Sequence, residues 1–289
     1  MNLSICPFSI QALSGKKTTV EENMRLCGEA GFTCFDFGIR SRVGSSLIYE
    51  KDWEARAHAL AEQAEKLGYA YMQSHAPYAF HFYNDVDYYR EITRRSFYTA
   101  SILHVKQIVI HGFFRPDPTV EANFEKDLSR SYEFYAPFVE LAEKLGLGVA
   151  VENLFNFGKK HTFTADVEEQ IALIRKFGSP AVSACWDVGH AHVRYGEDHL
   201  TQMKKLGSLI SCTHIHDNMQ AKDLHIPVFL GDIDWQCFMQ TLQEIGYQGN
   251  INFELKTCRI PDELIGMYLQ FIRHAGECLI SMTKKKEVG

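Results

Sequence analysis

Eight short apolar runs, each followed by a segment with helical spacing, alternate along nearly the whole 289-residue chain. The runs are LSICPF, FTCFDFGI, YAYMQSHAP, QIVIHGFF, LGVAVENLF, AVSACWDVGH, LISCTHIHD and GNINFELK. They are nearly continuous in apolar character rather than alternating, which suits a parallel sheet covered on its outer face by helices. Glycines after Ala30, Leu67, Leu145, Phe177 and Ile245 mark helix C-termini, where a left-handed residue is needed. The fourth helical segment, NFEKDLSRSYEFYAPFVELAEKLG, is expected to kink or divide at Pro137. No Gly-x-Gly-x-x-Gly or P-loop pattern opens a helix, which disfavours an open nucleotide-binding sheet. The expectation is an α/β fold, a (β/α)8 TIM barrel, in one domain over 1–289.

Composition narrows the class further. A hydrophobic fraction of 46% can fill a large core, and a net charge of −6 argues against a general nucleic-acid binder. The eight cysteines form no C-x-x-C pair and several sit in apolar runs, so reduced core thiols are expected. No segment approaches the roughly 20 apolar residues that cross a bilayer. A cytoplasmic protein is expected.

Metal-ligand side chains fall just past these apolar runs, in the order His75, His111, Glu152, Asp187 with His190, His214, Asp223 with His225, and Glu254. A carboxylate at the end of a buried strand is costly unless something pairs with it. Glu152, Asp187 and Glu254 repeat that pattern on three strands, so they point into one space at the C-terminal face. A cation would relieve their repulsion; Lys256 or Arg259 could do part of that instead. His214 and His216 alternate in THIHDN and would share a face of a strand. Four donors suit one cation, whereas nine suit two or three.

VEN with Glu152, WDVGH with Asp187 and His190, HIHDN with His214, the GDIDW run around Asp234, and FELK with Glu254 stand in the order of a known superfamily. Over nearly its whole length the chain resembles the xylose-isomerase-like barrels, often described as sugar phosphate isomerases/epimerases. That resemblance implies a metal site on Glu152, Asp187, His214 and Glu254, with His214 preferred to His216 because the family's usual run is His-x-x-Asp. The chain is also similar to the endonuclease-four type of apurinic-site nuclease. This second resemblance implies a three-zinc set on His75, His111, Glu152, Asp187, His190, His214, Asp223, His225 and Glu254. Departures stand beside the matches. The nuclease's Asp-Thr-Cys-His is Asp-Val-Gly-His here, and its Glu-Asn-Thr-Ala-Gly is Glu-Asn-Leu-Phe-Asn. Ketohexose 3-epimerases carry a second glutamate where Gly158 stands and an arginine where Gln220 stands.

The implied chemistry is a divalent-metal-dependent isomerase or epimerase acting on a sugar or sugar derivative. Its metal (manganese, zinc, magnesium or cobalt, one to three per chain) stabilises an enediolate while Glu152 and Glu254 exchange the proton. His190, His216, Lys256, Tyr78, Phe113 and Arg115 are expected to contact substrate. Many rings mark the loops that follow the strands, among them Phe37, Tyr78, Phe155 and Phe229, and aromatic rings stack on sugar faces. The alternatives are a polynuclear zinc phosphodiesterase and a lyase acting on a 3-keto sugar. Arg40, Arg42 and Arg115 are thin as phosphate contacts for a duplex. The expected partner is a small carbohydrate, with nucleic acid and membrane disfavoured and homo-oligomerisation left open.

Overall fold

In a computed structural model, residues 1–6, 18–38, 47–78, 85–112, 123–156, 158, 161–219, 222–256 and 260–283 are described. All eight expected strands form: β1 (Leu3–Ile5), β2 (Cys34–Phe37), β3 (Ala70–His75), β4 (Gln107–His111), β5 (Gly148–Glu152), β6 (Val182–Asp187), β7 (Ile210–His214) and, after an additional hairpin of β8 (Asp217–Met219) and β9 (Lys222–Ile226), β10 (Ile251–Phe253). The eight lie in one sheet in the order β10-β1-β2-β3-β4-β5-β6-β7. Each described pairing within it is parallel. A parallel bridge from Ile215 to Phe253 joins the two ends, with Ile215 N–H donating to Asn252 O at 2.7 Å and Glu254 N–H donating to Ile215 O at 3.2 Å. The sheet therefore closes as a (β/α)8 barrel, and closure removes the exposed edges that an open sheet would present.

Nine α-helices are present among the described residues: α1 (Val20–Glu29), α2 (Trp53–Lys66), α3 (Val86–Ile102), α4 (Phe124–Leu145), α5 (Val167–Phe177), α6 (Val188–Tyr195), α7 (His199–Leu206), α8 (Trp235–Glu244) and α9 (Ile265–Met282). Two differ from the sequence expectation. The fourth helical segment is not divided, because α4 runs as one helix through Pro137. The WDVGH run, grouped with the sixth strand, stays extended only to Asp187, and the next residues form α6, a helix not expected there. The physical reason is local: the Asp187 carboxylate accepts from the His190 backbone N–H at 2.7 Å and caps the new helix. Gly146, after α4, holds φ at +69°, as expected for a helix-ending glycine. No helix among the described residues is long and apolar enough to cross a membrane.

Two-residue periodicity decides what faces the barrel axis. Val109 pairs with Ala150 and His111 with Glu152; Cys185 pairs with Cys212 and Asp187 with His214. Val109, Ala150, Cys185 and Cys212 form a small buried apolar cluster of their own, two residues below the charged ends of their strands. The opposite half of the floor is polar. Ser4 Oγ donates to Asn252 Oδ1 at 2.8 Å, and Asn252 Nδ2 and Gln73 Nε2 donate to Asp36 Oδ2 at 3.0 and 2.9 Å. Because β1 separates β10 from β2, the Asn252–Asp36 contact runs through the interior. The main apolar core lies outside this layer, between the sheet and the helices, and includes Phe35, Phe97, Val149, Val151, Trp186, Phe238 and Phe253.

The β8–β9 hairpin is held to the barrel by Asp217. This fully buried carboxylate accepts from the N–H groups of Asn218, Gly231 and Ile233 and from Trp235 Nε1, the last at 2.8 Å. Both motif runs, HIHDN and GDIDW, thus meet at one side chain. Replacing it would strand several buried donors, each worth about 1–3 kcal/mol when left unmade. Asp217→Ala is expected to lower unfolding free energy by about 2–4 kcal/mol, measured by urea denaturation. A variant within experimental error of wild type would contradict the anchoring role.

Candidate metal centre

Five strands end on an ionisable side chain: β3 on His75, β4 on His111, β5 on Glu152, β6 on Asp187 and β7 on His214. Glu254 follows β10 directly. Their side chains converge. His111 Nε2 lies 2.8 Å from Glu152 Oε2, and His190 Nδ1 lies 3.1 Å from Glu152 Oε1. His214 Nδ1 is 3.3 Å from Glu152 Oε1, 3.3 Å from Glu254 Oε2 and 3.8 Å from Asp187 Oδ2. Glu152, Asp187 and His214 are fully buried, whereas the Glu254 side chain keeps 23% of its surface.

The nine residues expected from the sequence all lie in this region and, with His216 as a tenth, fall in three groups whose donor atoms approach within 4.8 Å: His75, His111 and Glu152; Asp187, His214 and Glu254; and His190, His216, Asp223 and His225. A further group joins Glu152, Asp187 and His190. Asp223 and His225 are delivered by β9, and His225 Nε2 sits 3.1 Å from Asp223 Oδ1. Lys256 Nζ contacts the other oxygen of Asp223 at 3.3 Å and is half exposed, so it reaches the mouth.

His214 and His216 part company. His214 faces the two glutamates, while His216 Nε2 lies 3.0 Å from Asp187 Oδ1 and its ring stacks on His225 at 3.9 Å. His216 is fully buried and touches two candidate ligands, Asp187 and His225. The space for its ring comes from Gly189, where a Cβ would stand 1.8 Å from His216 Cε1. The glycine of WDVGH and the second histidine of HIHDN are therefore one packing unit.

Asparagines fix the backbone under these groups. Asn153 Oδ1 accepts from Asp187 N–H at 2.8 Å, and its Nδ2 donates to Asp187 O at 2.9 Å. Asn218 Oδ1 accepts from Leu224 N–H at 2.7 Å, and its Nδ2 donates to Gly189 O at 2.8 Å. The sequence reading passed over both, and over Asp36, which sits inside FTCFDF with no exposed surface and with His75 Nδ1 3.1 Å from its Oδ1. Its signal was present: a carboxylate enclosed by aromatic residues in a buried run needs partners.

Of the expected substrate contacts, Tyr78 is half-buried and stacks on His111 at 3.9 Å. Phe155 packs against His190 at 5.1 Å. Phe37, read as a rim ring, instead packs in the core against Tyr71. Phe113, Arg115, Arg40, Arg42, Gln220 and Arg259 lie outside the described residues.

Electrostatics follow from burial and pairing. Burial alone would raise the Glu152 carboxyl, but the His214 and His111 imidazoles outweigh it and hold it well below the ordinary range. Asp187 is likewise raised by burial and carried lower by His190 and His216. Burial pushes His190 down, yet Asp187 and Glu152 lift it to about 10. The donor set fits a cation in another respect. Both ring nitrogens of His111 and of His214 and both oxygens of Glu152 are buried without a hydrogen-bonding partner, although their neighbours are close. Atoms this near to one another but not directed at one another suit ligands that share a centre.

The xylose isomerase-like TIM barrel model matches residues 24–274. The chain belongs to this family. Curated relatives include the uncharacterized protein MJ1311 of Methanocaldococcus jannaschii, 25% identical over 63% of this chain and 62% of that protein. Another is the uncharacterized protein y4fM of Sinorhizobium fredii, 34% identical over 28% of this chain and 26% of the relative. The chain thus spans less than two thirds of either relative's length. Similar solved structures include a D-tagatose 3-epimerase-like protein, 19% identical, covering 98% of this chain and 100% of that one at a TM-score of 0.77. An IOLI protein with a binding zinc atom matches with 16% identity over 100% of both chains at 0.74. The 3-keto-D-glucoside 4-epimerase of E. coli is 16% identical, over 94% of this chain and 98% of its own, at 0.68. At these identities the likeness is one of fold.

The packing of Gly189 under His216 has a direct consequence. Gly189→Ala must push a buried, stacked imidazole out of place, at an expected cost of about 1–3 kcal/mol, read as a lowered melting temperature. A Gly189→Ala protein as stable as wild type would show that the ring is not held there.

Proposed function

We propose that the protein is a divalent-metal-dependent isomerase or epimerase acting on a sugar or sugar derivative. The observation that carries this reading is the approach of Glu152 and Glu254, from β5 and from the end of β10, to the same nitrogen of His214 at 3.3 Å each. Glu152, Asp187, His214 and Glu254 would hold the ion. When bound, it would act as a Lewis acid on a carbonyl and its neighbouring hydroxyl, favouring the enediolate.

The chain's own residues supply the proton chemistry. Glu254, the more open of the two glutamates, takes a proton from the carbon beside the carbonyl, and Glu152 returns one from the other side of the rim. The proton that Glu152 returns is drawn from His190, whose Nδ1 lies 3.1 Å from it, and the proton on Glu254 passes to water to reset the pair. Return to the opposite face gives epimerisation; return to the neighbouring carbon gives an aldose–ketose shift. Loss of a leaving group after the first step gives elimination from a 3-keto sugar. The Tyr78 ring offers a flat apolar surface for a sugar face, and half-exposed Lys256 orients a substrate oxygen. The 3-keto-D-glucoside 4-epimerase and the D-tagatose 3-epimerase-like protein among the fold relatives support a keto sugar as the substrate type.

A second reading rests on the three contiguous donor groups. Two or three zinc ions there would suit hydrolysis of a phosphodiester. Metal content separates the two readings, measured by plasma mass spectrometry on protein prepared without chelator. About one ion per chain supports the isomerase; two or three zinc ions per chain support the phosphodiesterase.

The reaction itself is tested by incubating keto sugars and 3-keto glycosides in D2O and following deuterium uptake by NMR. Uptake beside the carbonyl is expected, stopping on chelation and falling about 10²–10⁴-fold in Glu254→Gln. No exchange with any keto sugar by the metal-loaded protein would refute the isomerase reading.

A further inference from the structure

Asp36 belongs to none of the nine donors expected at the rim, yet it touches the site from below. Its carboxylate is fully enclosed and is anchored through one oxygen, since Gln73 Nε2 and Asn252 Nδ2 both donate to Oδ2 at 2.9 and 3.0 Å. Ser4 Oγ in turn donates to Asn252 Oδ1 at 2.8 Å, which fixes the amide so that its nitrogen faces Asp36. Oδ1 is left for His75 Nδ1, 3.1 Å away. Oδ2 also lies 3.9 Å from His214 Nε2, across the barrel from β2 to β7. The rings of His75 and His214 stack at 4.7 Å, so one carboxylate meets the inner edges of two stacked imidazoles.

We propose that Asp36 is a positioning residue for the metal centre, holding His75 as the Nδ1–H form so that Nε2 alone is free to bind an ion. The chemistry is that of a carboxylate behind a ligating histidine: an anion can only accept, so the facing nitrogen must carry the proton. His75 then presents a lone pair to the group it forms with His111 and Glu152. The polar floor of Ser4, Asn252 and Gln73 acts through Asp36, preventing the carboxylate from turning away. This inference rests on the polynuclear reading of the centre, in which His75 ligates beside His111 and Glu152; uptake of a single ion on Glu152, Asp187, His214 and Glu254 alone would overturn it.

Two measurements test it without a substrate. In the first, 15N-histidine NMR of the wild-type protein, with His75 assigned from a His75→Gln variant, reports the ring tautomer before and after zinc is added. An Nδ1–H signature for His75 that persists on loading is expected. An Nε2–H form, or loss of the Nδ1 proton on loading, overturns the proposal, the latter by making Asp36 a partner in ligation instead. In the second, zinc affinity is measured by competition with a chromophoric chelator for wild type, Asp36→Asn, His75→Ala and the double variant. Asparagine keeps the shape but can present an N–H to Nδ1.

Each single change is expected to weaken a binding step about 10–100-fold, and the double variant to bind no worse than His75→Ala alone. Wild-type affinity in Asp36→Asn, or losses that multiply in the double variant, overturns the positioning role while leaving the metal centre intact. If the wild-type protein takes up no divalent ion, the metal-centre reading falls and this inference falls with it. The NMR measurement needs no folded Asp36 variant, so it decides the matter should Asp36→Asn fail to fold.

Discussion

Three carboxylates, Asp36, Glu152 and Asp187, are removed from water at the C-terminal end of this barrel, and the surrounding structure is organised around compensating them. An isolated ionised carboxylate in such a place is prohibitively costly. Here each one meets imidazoles: His75 beside Asp36, His111 and His190 beside Glu152, and His190 and His216 beside Asp187. Histidines compensate only in part, because a neutral ring adds no charge and a protonated one must itself be buried. A divalent ion would add the remaining positive charge without a proton, and a gathering of this many donors suits one better than a simple salt bridge does.

The same constraint explains the scaffolding. Side-chain donors must be set within tenths of an ångström, and strands that end at the rim give that precision. Asn153 ties the end of β5 to the end of β6 through two backbone hydrogen bonds at Asp187, and Asn218 ties the hairpin to the start of α6. Asp217 joins the hairpin to the loop before α8. These polar residues hold together the elements that carry the candidate ligands. Beneath them the floor divides, with small apolar side chains under His111, Glu152, Asp187 and His214 and a hydrogen-bonded network under His75.

Much of this was legible in the sequence because both signals are local. Short apolar runs ending in a ligand type place the strands and the rim together, and all eight strands formed where the runs stood. Helix-ending glycines read equally well, since left-handed backbone is a property of one residue. What escaped were contacts between distant segments. Asp36 looked like one polar residue in an apolar run, and its role emerges only when β10 and β3 bring Asn252 and Gln73 to it. Nothing local in WDVGH marks Gly189, whose role is the absence of a side chain under His216. The helix that starts after Asp187 was not foreseen, because that carboxylate caps a helix and also faces the candidate centre.

Crystals grown with manganese and measured above its absorption edge test the central claim most directly. An anomalous peak between Glu152, Asp187, His214 and Glu254, within coordination distance of all four, is the result expected. Crystals that show no such peak, with these four side chains turned to hydrogen-bond one another or water instead, would contradict it.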